Sequence, residues 1–357
     1  MRELSPRRRV ERALRFEDVD HVPFTVYECM IPQCEAERAM RNEGLCICQR
    51  PPSVFSSRTP GITRESQTFV ENGRTRTRTV IHTPAGDLTE VHEPAGFTSW
   101  HVEKPFKGPE DYAPLIALTD AEGYYPNYDA WIRKDREMGG DAIMRGGIGY
   151  SPMQHIIHRV MGVEVFAIEW MERRDEVLRL YDALVENRRR LYPILAESPC
   201  RWFNYGGNVS PEIVGEARFR EYYVPNYEEF AEVLHAAGKR VGVHFDANTR
   251  IIADAIAETS LDYIEAFTPA PDTDMSVADA RAAWADKALW INYPSSVFLR
   301  GDEEMEQVTI EMLQEAAPGN GFLIGITEDM PPDRWIDGCM TINRAVQEHG
   351  RLPITTD

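Results

Sequence analysis

Residues 234–246 read Leu-His-Ala-Ala-Gly-Lys-Arg-Val-Gly-Val-His-Phe-Asp, and the change of rhythm inside them decides the fold. Upstream, from Glu216 to Ala237, apolar residues recur at helical spacing, and Gly238 stops the pattern as a helix C-cap does. Two residues later Arg240–Phe245 reads as a short strand. A helix that runs straight into a strand is the return half of a β-α-β unit. Working outward, strands are expected at His21–Val26, Ala142–Arg145, Arg201–Tyr205, Tyr263–Ala266, Leu289–Asn292 and Phe322–Thr327 as well. Helical stretches such as Val163–Arg190 separate them. Seven strands are visible and an eighth is inferred from closure, which predicts an α/β chain forming a (β/α)8 TIM barrel, taken as one domain over 1–357.

One stretch breaks the pattern. Gln67–Glu93 alternates Thr and Arg (RTRTRTVIHT), with turn signals at Asn72-Gly73 and Pro84–Gly86. It predicts a β-hairpin or meander excursion after the first strand, spanning about 66–104. A net charge of −19 and a pI near 5.0 speak against a nucleic-acid partner, since phosphates are held by clustered Lys and Arg. No apolar run reaches membrane-spanning length, and the opening MRELSPRRRVERAL has charges without the apolar segment of a signal peptide. The expectation is a cytoplasmic protein with no membrane contact. Its six cysteines are expected to be free thiols. The same signals leave monomer and homodimer both open.

In such barrels the reacting groups sit where strands end, so polar residues closing apolar runs are the ones to question. His244 and Asp246 close the run that starts at Arg240 and, two apart on extended backbone, point to the same side at roughly 6.5–7 Å. The uncharged run Gly321–Thr327 ends in Glu328-Asp329, and Glu265 closes Leu261–Ile264. One imidazole with two carboxylates (His244, Asp246 and Glu328) is a donor set for a catalytic zinc with an open position. Glu265 is either a further ligand or a carboxylate that orients His244. The bland alternative is a hydrogen-bonded structural histidine and carboxylates that cap the next helix.

Several motifs then point to one family. Arg7-Arg8-Arg9-Val10-Glu11-Arg12-Ala13-Leu14 through Asp20-His21-Val22-Pro23 is similar to the start of the uroporphyrinogen decarboxylase superfamily, where a basic helix leads into a D-R-V-P strand. Thr83-Pro84-Ala85-Gly86-Asp87-Leu88-Thr89-Glu90 resembles its T-P-x-G-x-L hairpin, and Leu234–Lys239 its H-x-x-G helix end. The corrinoid methyltransferase branch holds zinc with an H-x-C strand end and a Cys after the last strand. Those positions are His244, Asp246 and Glu328 here, so both thiolates are replaced by carboxylates. The resemblance implies a zinc-dependent methyltransferase that passes a methyl group to the Co(I) corrinoid (cobalamin) of a separate corrinoid protein. Val233 stands where a corrinoid-binding D-x-H-x-x-G loop would need Asp, which places that cofactor on the partner.

Carboxylates donate less charge than thiolates and leave the ion more electrophilic, which suits an oxygen ligand. That favours O-demethylation of a small methylated substrate. A phenol ionises near about 10 and water near about 15.7, so a phenolate is the better leaving group by up to roughly 8 kcal/mol. An aryl methyl ether is therefore the expected substrate. Tyr27, Tyr150, Tyr205, Phe245 and Phe267 are expected to stack on its ring, Met30 and Met153 to adapt around it, and Asn208, Asn292 and Glu265 to meet its polar groups. Ordinary rim packing is the competing reading for each. Three alternatives remain: a porphyrinogen decarboxylase, which needs arginines after the first strand where Tyr27–Glu35 is acidic; a thiol methyltransferase; and a non-catalytic ligand-binding relative. Cys29, Cys34, Cys46 and Cys48 are read as structural or loop thiols, and His155 and His158 as a helix-surface pair.

Overall fold

The computed structural model describes residues 4–96 and 98–355; Phe97, inside the expected excursion, lies outside the described residues, as do 1–3 and 356–357. The chain, read from sequence as one domain, divides into two compact units. The first comprises Met1–Ser53, Tyr128–Gly149 and Pro199–Asp357, the second Val54–Asn127 and Tyr150–Ser198.

The first unit is the barrel. Its strands are β1 (Phe24–Tyr27), β2 (Cys46–Gln49), β3 (Ala142–Met144, resuming at Gly146–Gly147), β4 (Trp202–Tyr205), β5 (Arg240–His244), β6 (Tyr263–Phe267), β7 (Ala288–Asn292) and β8 (Phe322–Ile326). Neighbours are parallel throughout, and the order β4 to β8 continues through β1 and β2 to β3. The first piece of β3 pairs with β2 and the second with β4, which closes the ring.

The seven strands read from sequence are present. The first begins three residues late, directly after Pro23, which has no N–H to offer a ladder. The eighth is Cys46–Gln49, so Cys46 and Cys48 are not loop thiols. Both are buried in a strand, where a free cysteine packs as a small apolar residue. All six cysteines are free thiols. The excursion thus leaves the barrel after β2. The expected helix over Glu216–Ala237 is two, Pro211–Tyr222 and Val224–Ala236, with Pro225 setting the first turn of the second. Val163–Arg190 likewise divides at Arg173, whose backbone leaves the helical region.

Strand alternation sorts the barrel side chains. Tyr27, Cys46, Cys48, Ile143, Trp202, Tyr263, Trp290 and Leu323 form one buried cluster with Val10 and Ala13 of the N-terminal helix Pro6–Ala13 and with Leu14, its C-cap. Further along the strands the same parity brings Arg145, Asn204, His244 and Glu265, so the interior turns from apolar to polar toward the C-terminal strand ends. The helix is tied down by its own motif: Arg9 grips Asp20 through Nε at 2.6 Å and Nη2 at 3.0 Å. The basic helix and the Asp ahead of Val22-Pro23 are therefore one structural clamp. His235 of the H-x-x-G motif also has a structural partner, with Nε2 2.7 Å from Asp262 Oδ2.

The second unit holds the excursion, a four-stranded antiparallel meander of Thr63–Glu71, Arg74–Thr83, Gly86–Ala95 and Thr98–Glu103. Its first turn is the expected Asn72-Gly73, both residues with positive φ (50° and 77°), as a two-residue hairpin of the I′ kind requires. Alternation in RTRTRT places Thr77 against Thr68, while Arg74 and Arg76 on the other face pair with Glu93. A two-stranded ribbon, Phe55–Arg58 with Gly123–Pro126, and helices that include Tyr112–Ala121, Val163–Glu172 and Arg174–Glu197 also belong to this unit. No helix among the described residues is long and apolar enough to cross a membrane.

Candidate active site at the strand ends

Glu265 organises the polar end of the barrel. A β-bulge in β6 follows it, with Ala266 at φ 58°, a conformation costly for any residue with a Cβ. Glu265 itself is fully buried. Its carboxylate accepts from Tyr27 Oη, from Asn204 Nδ2 at 2.7 Å and from His244 Nδ1 at 2.8 Å. Arg145 approaches the same carboxylate at 3.8 Å and donates to Tyr27 Oη at 3.0 Å. Burial would push the Glu265 carboxyl up, but the charges of Arg145 and His244 hold it down at about 2. A buried, ionised carboxylate of this kind survives only with such a partner set.

An ionised carboxylate only accepts, so the proton shared with Glu265 sits on His244 Nδ1. His244 Nε2 then faces Asp246, whose Oδ2 lies 3.2 Å away. Burial opposes the imidazolium, yet Glu265 and Asp246 together raise its pKa to about 10. Asn208 Nδ2 donates to Asp246 at 3.4 Å. Glu328 lies one residue beyond the expected run in β8, half-buried; burial and the neighbouring charge of Asp246 raise its pKa, with His244 pulling the other way. Asn292 reaches across from β7, accepting from both the backbone N–H and the hydroxyl of Thr327 at 2.9 Å. It is therefore a brace for the backbone that carries Glu328.

The expected residues divide accordingly. His244, Asp246, Glu265, Asn208 and Tyr27 share one hydrogen-bonded network, with Glu328 coupled to it by charge. Among the described residues, however, His244, Asp246 and Glu328 do not form a group whose ligand atoms all lie within 4.8 Å of one another. Tyr205 and Phe245 do not face this site. Both are fully buried on the outward side of their strands, Tyr205 against Tyr227 and Phe230, Phe245 against Phe219 and Tyr227. Tyr27 keeps a place but not a free ring face, since Arg50 stacks on it at 3.9 Å. Met30 packs on the buried cluster of the barrel. Asn292 is fully buried and occupied by Thr268 and Thr327. Tyr150 and Met153 belong to the second unit, where Tyr150 meets the His158 ring at 4.9 Å and Met153 is fully buried.

Arg145 and Asn204 were missed. Arg145 closes the apolar run Ala142-Ile143-Met144, the same signal that singled out His244. A cavity of about 440 Å³ bordered by Cys34, Glu37, Arg38, Arg41 and Asp141 lies elsewhere on the barrel and includes none of these strand-end residues.

Residues 5–349 match the family described as uroporphyrinogen decarboxylase (URO-D). The chain belongs to the uroporphyrinogen decarboxylase family. No curated protein sequence matches it significantly. Among solved structures, a methyltransferase from Methanosarcina mazei is similar in fold, with a TM-score of 0.60 and 14% identity over 97% of this chain and 99% of that one. As a family member the chain carries its Arg145–Glu265–His244 row at the barrel end where this fold places its chemistry.

Proposed function

We propose that the protein is a methyltransferase that demethylates a small O-methylated compound, passing the methyl group to a corrinoid held by a separate protein. The observation that carries the reading is the fixed His244: Glu265 holds Nδ1, and Nε2 is turned toward Asp246 at the end of β5. A carboxylate behind a histidine is the support metal-ligating imidazoles ordinarily have. The donor chemistry fits a divalent ion, with one imidazole, Asp246 beside it, and Glu328 raised in pKa by burial and by the like charge of Asp246, both of which a cation would offset. His244, Asp246 and Glu328 would hold zinc, which when bound supplies Lewis acidity to an ether oxygen.

The chain's own residues do the rest. Glu265 orients the ring and fixes its tautomer, Asn208 steadies Asp246, and Asn292 sets the backbone before Glu328. With Tyr205 and Phe245 packed elsewhere, the case for an aryl ether rests on phenolate being the better leaving group. The decarboxylase alternative gains nothing from the arginines nearby. Arg50 is paired with Glu28 at 3.2 Å and Arg145 lies 3.8 Å from Glu265, so the charge of each already has a carboxylate of the chain beside it.

The test is zinc content together with methyl transfer from methoxyarenes to a reduced corrinoid, for the wild type and for His244→Ala and Glu328→Ala. Both variants should fold, lose the zinc equivalent held at the strand ends and lose demethylation. Unchanged zinc in both would refute the site; zinc loss without any demethylation by the wild type would refute the reaction.

A further inference from the structure

We propose that Glu90, His92 and His101, on the meander of the second unit, form a metal site of their own for a divalent transition ion of the zinc class. The strand register creates it. His92 and His101 are directly paired across two antiparallel strands, and Glu90 precedes His92 by two residues, hence on the same face. The imidazoles stand 4.1 Å apart between centroids, tilted by 57°. Glu90 Oε2 is 3.2 Å from His92 Nε2, and a set of ligand atoms, one from each residue, lies within 4.8 Å of one another. Two imidazoles and one carboxylate are a zinc donor set, and their half-buried positions leave room for water or an external ligand.

The remaining contacts do not explain the cluster as a structural element. His101 Nδ1 is shielded from solvent and has no hydrogen-bond partner among the described residues. Its other nitrogen meets the guanidinium of Arg159, an exposed side chain that also lies over the Tyr150 ring. Arg159 only donates, so it points to Nε2 as the nitrogen that carries the lone pair. Its positive charge competes with an ion there, and its exposure lets it swing aside.

The site is independent of the barrel reading, and the experiment separates them. Full-length protein stripped with a chelator is titrated with Zn2+ and with Co2+, following stoichiometry and the visible cobalt bands. The His92→Ala/His101→Ala variant should bind one equivalent fewer than wild type, whereas His244→Ala should keep that equivalent. Glu90→Gln, which preserves shape, should weaken it, and Arg159→Met should tighten it by about tenfold as a nearby like charge is removed. Equal zinc stoichiometry and affinity in the wild type, the double variant and Glu90→Gln would overturn the proposal.

Discussion

At the scale of single residues, the state of His244 sets how an ion would enter. Without metal the imidazole is held charged between two carboxylates, with its pKa at about 10. An ion taking Nε2 must displace that proton. Zinc affinity should therefore rise with pH, by about tenfold per unit between pH 6 and 8, with close to one proton released per ion. Calorimetry in buffers of different ionisation enthalpy measures this; an affinity flat across that range would place the ion elsewhere. Glu265→Gln tests the residue behind the histidine. It removes the counter-charge of buried Arg145, so stability should fall by about 3–5 kcal/mol in a denaturant titration. Zinc affinity should fall by about 10–100-fold as the ring loses its orientation. A loss of stability with unchanged zinc affinity would make Glu265 a purely structural group.

At the scale of elements, parity along a strand decides which side chains serve the site. Gly242 precedes His244 on the inward face of β5, and a Cβ there would lie 2.2 Å from the Tyr263 ring. Tyr263 cannot yield freely, because its hydroxyl donates to the Phe203 carbonyl at 2.7 Å. Gly242→Ala should cost about 1–3 kcal/mol, read as a lowered Tm, through overpacking rather than through any change in β5 itself. The same parity explains what could be read from sequence. Apolar runs ending in His244-Phe245-Asp246, Glu265 and Glu328 were visible because charge interrupts hydrophobicity at each. Once His244 is placed inward, Phe245 must face out, and Asn204 inward sends Tyr205 out; treating both aromatics as mouth residues overlooked that alternation. β2 escaped notice for another reason: four residues containing two cysteines and a glutamine carry too little β-branched character to announce a strand. Of the Glu265 network only the link to His244 could be read from sequence, because Tyr27, Arg145 and Asn204 come from three other strands that only barrel closure brings together.

At the scale of the whole molecule, the buried ion pairs predict the pH profile. The Glu265 carboxyl is lowered from 4.5 to about 2, and that of Asp20 from 3.8 to about 2. Their stabilisation is present above the higher values and lost as pH falls through the lower. His244 is raised from 6.5 to about 10, so its share is complete below 6.5 and lost as pH rises through about 10. Chelator-treated protein should thus be most stable between about pH 4.5 and 6.5, with denaturant midpoints falling on both sides. Zinc should flatten the alkaline limb; an alkaline limb indifferent to zinc would mean that His244 does not titrate against an ion.

β3 joins its two neighbours with separate pieces, and Arg145 is the residue between them. Among the described residues Arg145 is also the one arginine or lysine within 4 Å of the Glu265 carboxylate, so the seam of the ring and that counter-charge occupy the same place in the chain. Any loosening that lets Ala142–Met144 part from β2, or Gly146–Gly147 from β4, also withdraws the charge that keeps Glu265 ionised and His244 in line. Integrity of the backbone circle is thereby reported, residue by residue, to the imidazole: a barrel that has begun to open is one whose histidine has already lost its aim.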